Sequence, residues 1–246
     1  MMEEYGTDRA WPFAEGGGAT LAVATALWGG AVALWRERPA WPTRLLLLVA
    51  SALWLLILYF FRDPNRPLSR ESGMVVAPGD GRVVGIERER ETVYLQQETI
   101  RISIFLSILD VHVQRVPIGG RIMLVDHRPG KFLQAFRPEA STENEHIAMV
   151  VATPYGRVLV KQIAGIMARR CVNYLAPGDI VQTGERFGLI RFGSRVDLFL
   201  PPEATLLVAE GELVRGGLTP MALLPGERKQ SADDNARVDN VHSAAQ

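Results

Sequence analysis

The sequence predicts a mainly β protein, a compact β-barrel or sandwich with an internal pseudo-repeat, preceded by an N-terminal transmembrane helical hairpin. Three observations predict it. Two uncharged apolar stretches, "ATLAVATALWGGAVALW" (19–35) and "LLLLVASALWLLILYFF" (45–61), come early in the chain. From Met74 onward, short β patterns alternate with turns rich in Gly, Pro and Asp. The tetrapeptide Ala-Pro-Gly-Asp occurs at 77–80 and again at 176–179, each time before a strand pattern.

Residues 1–18 form an N-terminal segment, and 19–61 read as the hairpin. Each apolar stretch is near the lower limit of about 17 residues for crossing a hydrocarbon core. Trp28, Trp35, Trp41, Trp54 and Tyr59 are placed partly at the ends, as interfacial anchors are. The link "RERPAWPTR" is short, polar and twice broken by proline. A buried helix pair in a soluble core and a re-entrant anchor are the alternatives. Arg36, Arg38 and Arg44 in the link compete with Arg62, Arg66 and Arg70 beyond it, so charge leaves the orientation undecided. Those last arginines suit either interfacial anchoring or attraction of anionic headgroups.

The β region runs over 62–225, after the connector "RDPNRPLSRESG". "MVVAPGDGRVVGIER" reads strand, turn, strand around Pro78-Gly79-Asp80-Gly81. "ETVYLQQETIRISIFLS" supplies an alternating run and then a nearly continuous apolar one, and "YGRVLVKQIAG" a further strand. "VQRVPIGGRIMLVD" and "VNYLAPGDIVQTGERFGLIRFG" repeat the strand-and-turn theme. The tail 226–246 lacks any apolar period and reads as disordered.

Composition excludes several classes. The 27 basic and 27 acidic residues cancel, which argues against general nucleic-acid affinity. The lone Cys171 permits no intrachain disulfide and reads as a small buried core residue. Four histidines, His112, His127, His146 and His242, make a histidine-rich metal site an unfavoured reading.

One stretch, "RFGSRVDLFLP" (191–201), poses a problem of its own. Val196, Leu198 and Leu200 alternate with Arg195, Asp197 and Phe199, the pattern of a half-buried strand. Gly193-Ser194 sits near its start, where glycine weakens pairing and often marks close approach by another group.

The turns "APGD" followed by Val and Gly-Glu resemble the hairpins of lipoyl- and biotinyl-type domains, but neither tip carries the lysine that such carriers modify. A non-catalytic membrane-anchored adaptor with a lipoyl-like β domain therefore stays open as an alternative. The ensemble more closely resembles the short subfamily of phosphatidylserine decarboxylase proenzymes. "FFRDPNR" (60–66), "VVAPGDGRV" (75–83), "ISIFLSILDVHVQRVPIGG" (102–120), "KFLQAFRPEASTENE" (131–145) and "GERFGLIRFGSRVDLFLP" (184–201) carry the resemblance in order.

That resemblance implies self-cleavage between Gly193 and Ser194, giving chains 1–193 and 194–246. Ser194 would become a covalent pyruvoyl group, with no metal and no pyridoxal phosphate. The pyruvoyl group would form a Schiff base with the serine headgroup, release CO2 and yield phosphatidylethanolamine. Glycine before the serine uncrowds the attack and permits the backbone that brings oxygen to carbonyl. Asp80 and His112 stand at the family's acid-base positions. Arg115 stands where longer relatives have a second histidine; it would polarise the scissile carbonyl or hold phosphate or carboxylate. Asn144-Glu145 is equally compatible with capping a loop beside the site. Implied partners are membrane phosphatidylserine and the two cleaved chains for each other, with homo-oligomerisation left open. The implied location is the inner cell membrane, with the catalytic domain facing the cytoplasm. The same chemistry on another serine-bearing lipid, such as an archaetidylserine-like ether lipid, is also left open.

Overall fold

The computed structural model describes residues 12–67, 71–134, 139–165, 171–190 and 194–226. The tail from 227 and Arg70 lie outside them. The chain divides into two compact units, a helical one over Asp8–Asn65 and a β one from Arg66 onward.

In the helical unit, α1 (Gly18–Glu37) and α2 (Trp41–Phe60) are each 20 residues long, or about 30 Å at 1.5 Å per residue. Pro42 falls in the first turn of α2, where a missing N–H is harmless. Thr43 Oγ1 accepts from Ala40 N at 3.1 Å and donates to Arg38 O at 2.7 Å, which fixes the turn between the helices. Both helices are long and apolar enough to cross a membrane, and little of either is buried: Leu27 is 71% exposed and Leu48 60%. A buried helix pair in a soluble core would hide such side chains.

Trp28 and Trp54 stand away from the helix ends. They stack midway along the hairpin, centroids 4.7 Å apart, and each indole N–H reaches across, Trp28 to Ser51 Oγ and Trp54 to Thr25 Oγ1, both at 3.1 Å. An indole N–H turned toward a neighbouring apolar helix is satisfied by such a partner, which explains hydroxyls facing both rings.

The β unit contains, in chain order, β1 (Met74–Val76), β2 (Gly81–Glu91), β3 (Gln97–Leu106), β4 (Val113–Arg115), β5 (Gly120–Arg128), the short α3 (Ala140–Glu143), β6 (His146–Thr153), β7 (Gly156–Ile163), β8 (Cys171–Asn173), β9 (Ile180–Val181), β10 (Arg186–Ile190), β11 (Ser194–Leu200), β12 (Thr205–Leu206), β13 (Leu213–Val214) and β14 (Pro220–Leu223). The mainly β class is thus as expected. An 8-stranded sheet has the order β13-β2-β3-β11-β7-β6-β5-β9, beside the sheets β4-β10-β8 and β1-β14-β12. The inward residues of the large sheet, among them Ile102, Ile104, Met149, Val160, Val196 and Leu198, form one core with Val75, Val116, Phe187 and Met221 from the smaller sheets.

Local structure departs from the sequence patterns in three places. "TVYLQ" (92–96) is not a strand but the turn between β2 and β3, held by the carboxylate of Glu91 at the end of β2, which accepts from the N–H groups of Val93, Tyr94 and Leu95. "HIAMVVAT", without period-two alternation, is the strand β6, buried on both faces. The Ala-Pro-Gly-Asp corners also differ from each other. Gly178 has φ +100 and Asp179 caps its own turn through Ala176 N, whereas Asp80 reaches Arg66 instead.

Candidate active site

All seven residues of β11 are buried, so it is not half-exposed as its alternation suggests. It runs in the middle of the large sheet, paired with β3 from Ser194↔Leu106 to Leu200↔Ile100 and with β7 from Arg195↔Ile163 to Phe199↔Leu159. Ser194 has the parity of Val196 and Leu198 and so belongs to the core-facing row. It is 0% exposed, and its Oγ has no hydrogen-bond partner among the described residues. A buried hydroxyl left that way is costly in a purely structural strand. Gly193, with Arg191 and Phe192, lies outside the described residues.

The chain passes from β10 in the small sheet to β11 in the large one between Ile190 and Ser194. The segment Ser107–His112 makes the same passage, from β3 to β4. Leu189 pairs with Val113, which puts His112 beside the Ile190 end of β10. Ser194, opposite Leu106, and His112, beside Ile190, thus both lie where β3 and β11 of the large sheet give way to β4 and β10 of the small one. His112 is fully buried, and its Nδ1 lies 2.9 Å from the Asp110 carbonyl. A carbonyl only accepts, so Nδ1 carries the hydrogen and Nε2 keeps the basic lone pair. Asp110 steadies the loop by accepting from Ser107 N at 2.8 Å.

Asp80 is held otherwise. Its oxygens accept from Arg66 Nη1 at 2.6 Å, Arg66 Nη2 at 2.8 Å and Gly216 N at 2.8 Å. No hydrogen bond joins it to Ser194 or His112 among the described residues. Arg66 is accordingly buried and not offered to lipid headgroups, while Arg62 stacks over Tyr59 at 3.7 Å. The Asp80 corner still touches the site's surroundings: a Cβ at Gly79 would lie 3.6 Å from Leu106 and 4.0 Å from Val196. Arg115 is buried, its N–H on Pro78 O and its Nη1 on Gly184 O at 3.1 Å. Gly217, at φ +75, makes room for it, since a Cβ there would come within 2.7 Å of Arg115 Cδ.

Two glutamines that sequence patterns do not single out lie beside these groups. Gln162 is opposite Val196, one core-facing position along from Ser194. Such diagonal neighbours are about 7 Å apart at Cβ, within reach of a long side chain. Gln162 Nε2 donates to Gln114 Oε1 at 2.9 Å and Val172 O at 3.1 Å. Both side chains are essentially inaccessible, and Gln114 Nε2 and Gln162 Oε1 have no partners among the described residues. A Cβ at Gly188 would meet Val172 O at 2.3 Å and Gln162 Nε2 at 2.7 Å, so only glycine fits beneath the amide. The visible sequence signal is a glutamine inside each of two strand patterns, "VHVQRV" and "VLVKQIAG".

The other face of the sheet holds a buried polar network. Arg195 donates to Asp197 Oδ1 at 2.6 Å and to Ser103 Oγ at 2.8 Å, and Ser141 of α3 donates to Asp197 Oδ2 at 2.8 Å. Asn144 bonds Leu133 on both its N–H and its carbonyl, and also donates to Ala164 O at 2.7 Å, next to the β7 residue that pairs with Arg195. Its geometry is that of a loop clamp beside the site. Lys161 is buried between the Tyr94 and Phe199 rings, 3.7 Å from Glu91, and desolvation lowers its pKa. His127, mostly exposed, faces Glu145 at 3.3 Å. Burial also pushes the Cys171 thiol up; its Sγ donates to Gln162 O at 3.6 Å, as befits a small core residue.

This geometry can be set beside known proteins. The family model described as phosphatidylserine decarboxylase matches residues 53–222. A protein of Salinibacter ruber named phosphatidylserine decarboxylase proenzyme is 45% identical over 216 residues, covering 85% of this chain and 94% of that one. One of the same name from Carboxydothermus hydrogenoformans is 41% identical over 180 residues, 73% of this chain and 84% of its own. A third, from Xanthobacter autotrophicus, is 45% identical over 183 residues, with 73% and 78% covered. With matches that take in the buried serine, both inter-sheet passages and the Arg66–Asp80 anchor, the chain belongs to the phosphatidylserine decarboxylase family.

Proposed function

We propose that this chain is a self-processing phosphatidylserine decarboxylase whose reactive carbonyl is made from Ser194. The observation that carries the reading is the buried Ser194 hydroxyl, lacking a partner among the described residues at the head of a central strand, in a chain 45% identical to proenzymes. A pyruvoyl group fits there. It needs no more room than the serine it replaces, and the carbonyl formed lies in a site from which bulk water is excluded.

In self-cleavage, Ser194 Oγ adds to the Gly193 carbonyl carbon and displaces the amide nitrogen, so the peptide becomes an ester with a free α-amine on residue 194. Loss of the Cα proton of residue 194 then expels the Gly193 carboxylate with the C–O electron pair. Water hydrolyses the resulting enamine, as its imine tautomer, to a ketone and releases ammonia. Both early steps need a base, and His112 Nε2 suits that role. Burial strengthens each polar contact to the developing charge.

A pyruvoyl carbonyl on residue 194 would supply the electrophile for the substrate amine and the sink for the electrons released with CO2. Asp80 and Arg66 hold the corner against Leu106 and Val196, and Asn144 holds the Ala164 end of β7. The helical hairpin anchors the catalytic unit in the inner cell membrane, on the cytoplasmic side where the family's lipid substrate is presented.

The test is a denaturing gel with intact mass, run beside Ser194→Ala. Two chains divided between 193 and 194, the smaller with a blocked pyruvoyl terminus, are expected from the parent and one chain from the variant. A folded, membrane-extracted parent that stays as one chain would overturn the reading.

A further inference from the structure

The buried amides of Gln114 and Gln162 are left incomplete in a definite way. The Val172 carbonyl only accepts, so the Gln162 atom 3.1 Å away is Nε2. That nitrogen also faces Gln114 at 2.9 Å, so the facing Gln114 atom is Oε1. The orientation of both amides is therefore fixed. What remains open among the described residues is the donor group Gln114 Nε2 and the acceptor Gln162 Oε1, both shut off from solvent, with Gln162 one core-facing position along from Ser194. Buried polar atoms are rarely left so without a ligand to complete them.

We infer that Gln114 and Gln162 form the subsite for the amino-acid end of the serine headgroup, Gln114 Nε2 donating to its carboxylate and Gln162 Oε1 accepting from its amine. The inference rests on the function proposed above and names how that site reads its substrate. The pairing is complementary, because the headgroup end presents one anionic acceptor and one N–H donor on a single carbon. Neutral amides also suit the reaction better than a cation. The carboxylate leaves as uncharged CO2, so a lysine or arginine bonded to it would stabilise the substrate more than the transition state. An amide orients the carboxylate and leaves it poorly solvated, which favours loss of its charge. Arg115, the sequence's candidate for that anion, has its guanidinium on Gly184 O.

The test uses full-length processed enzyme in mixed micelles, with the variants Gln114→Met and Gln114→Glu. Decarboxylation of phosphatidylserine is measured alongside reductive trapping of phosphatidylethanolamine on residue 194, followed by the mass of the small chain. Phosphatidylethanolamine has the amine but no carboxylate. Both variants are expected to lose at least about tenfold in kcat with phosphatidylserine, while trapping of phosphatidylethanolamine stays within about twofold of the parent. Equal losses with both lipids, or phosphatidylserine turnover within about twofold of the parent, would overturn the assignment. If both variants remain uncut, the amides act in folding or self-cleavage and the headgroup assignment is likewise overturned. A parent that is cut but does not decarboxylate phosphatidylserine would instead defeat the function itself.

Discussion

Replacing Arg66 by methionine separates an anchoring Asp80 from a catalytic one. The Arg66 and Asp80 side chains are 8% and 12% exposed, and two short bonds join them. Removing one partner of a buried pair typically costs about 3–5 kcal/mol, because the other charge is stranded. Asp80 would keep only the Gly216 N–H of its three donors, and we take about 3 kcal/mol as the expected loss. For a unit of this size that is roughly 6–12 °C in Tm. The assay is thermal unfolding in detergent on a Ser194→Ala background, so that every variant is one uncut chain. The double variant Arg66→Met, Asp80→Leu removes both charges and should recover at least half of the loss. Self-cleavage on the Ser194 background should recover with it. If the double variant falls by the sum of the singles, the coupling is absent. If Asp80→Asn leaves Tm within about 2 °C yet stops cleavage, Asp80 transfers protons and the anchoring account is wrong.

Other expectations follow from single contacts. Lys161→Met should shift stability by less than about 1 kcal/mol, because Glu91 is already satisfied by backbone N–H groups; urea unfolding checks this. Gly188→Ala should slow self-cleavage at least about tenfold, since its Cβ would overlap Val172 O and the Gln162 amide; a pulse-chase on gels reads it. Burial, and then the nearby Lys161 and Arg128 charges, lower the His146 pKa from its ordinary 6.5. The unfolded chain therefore binds a proton that the folded chain resists, so the contribution of His146 is complete above about pH 6.5 and is lost as pH falls below it. Urea midpoints at about pH 7.5 and 5.5 should show a decline that His146→Leu reduces.

The hairpin, the β class and the family were legible because they rest on local features: uninterrupted apolar length, period-two alternation and an ordered set of motifs. What was not legible depends on distant partners. Arg195 and Asp197 look solvent-facing in sequence, but Ser103 and Ser141, 92 and 56 residues away in their respective bonds, cover them. Arg66 looks like one of three surface arginines until Asp80 is found against it. The two Ala-Pro-Gly-Asp corners share four letters and differ in backbone, because only Asp179 caps its own turn. Gln114 and Gln162 carry no motif; their meaning lies in the unmet hydrogen bonds between two sheets.

The central place of β11 has a bearing on how production of active protein is policed. A strand flanked on both sides needs both neighbours in register, and here one neighbour, β3, lies about ninety to a hundred positions back in the chain and the other, β7, about thirty to forty. On the proposed self-cleavage, Ser194 would be positioned to attack only in a correctly assembled molecule. Copies that misfold would then never acquire a reactive carbonyl, and making the proposed cofactor would double as an inspection of the fold. If the chain is cut there, β11 of the shorter product would be held between β3 and β7 of the longer one, and the two pieces would have little prospect of pairing if synthesised apart.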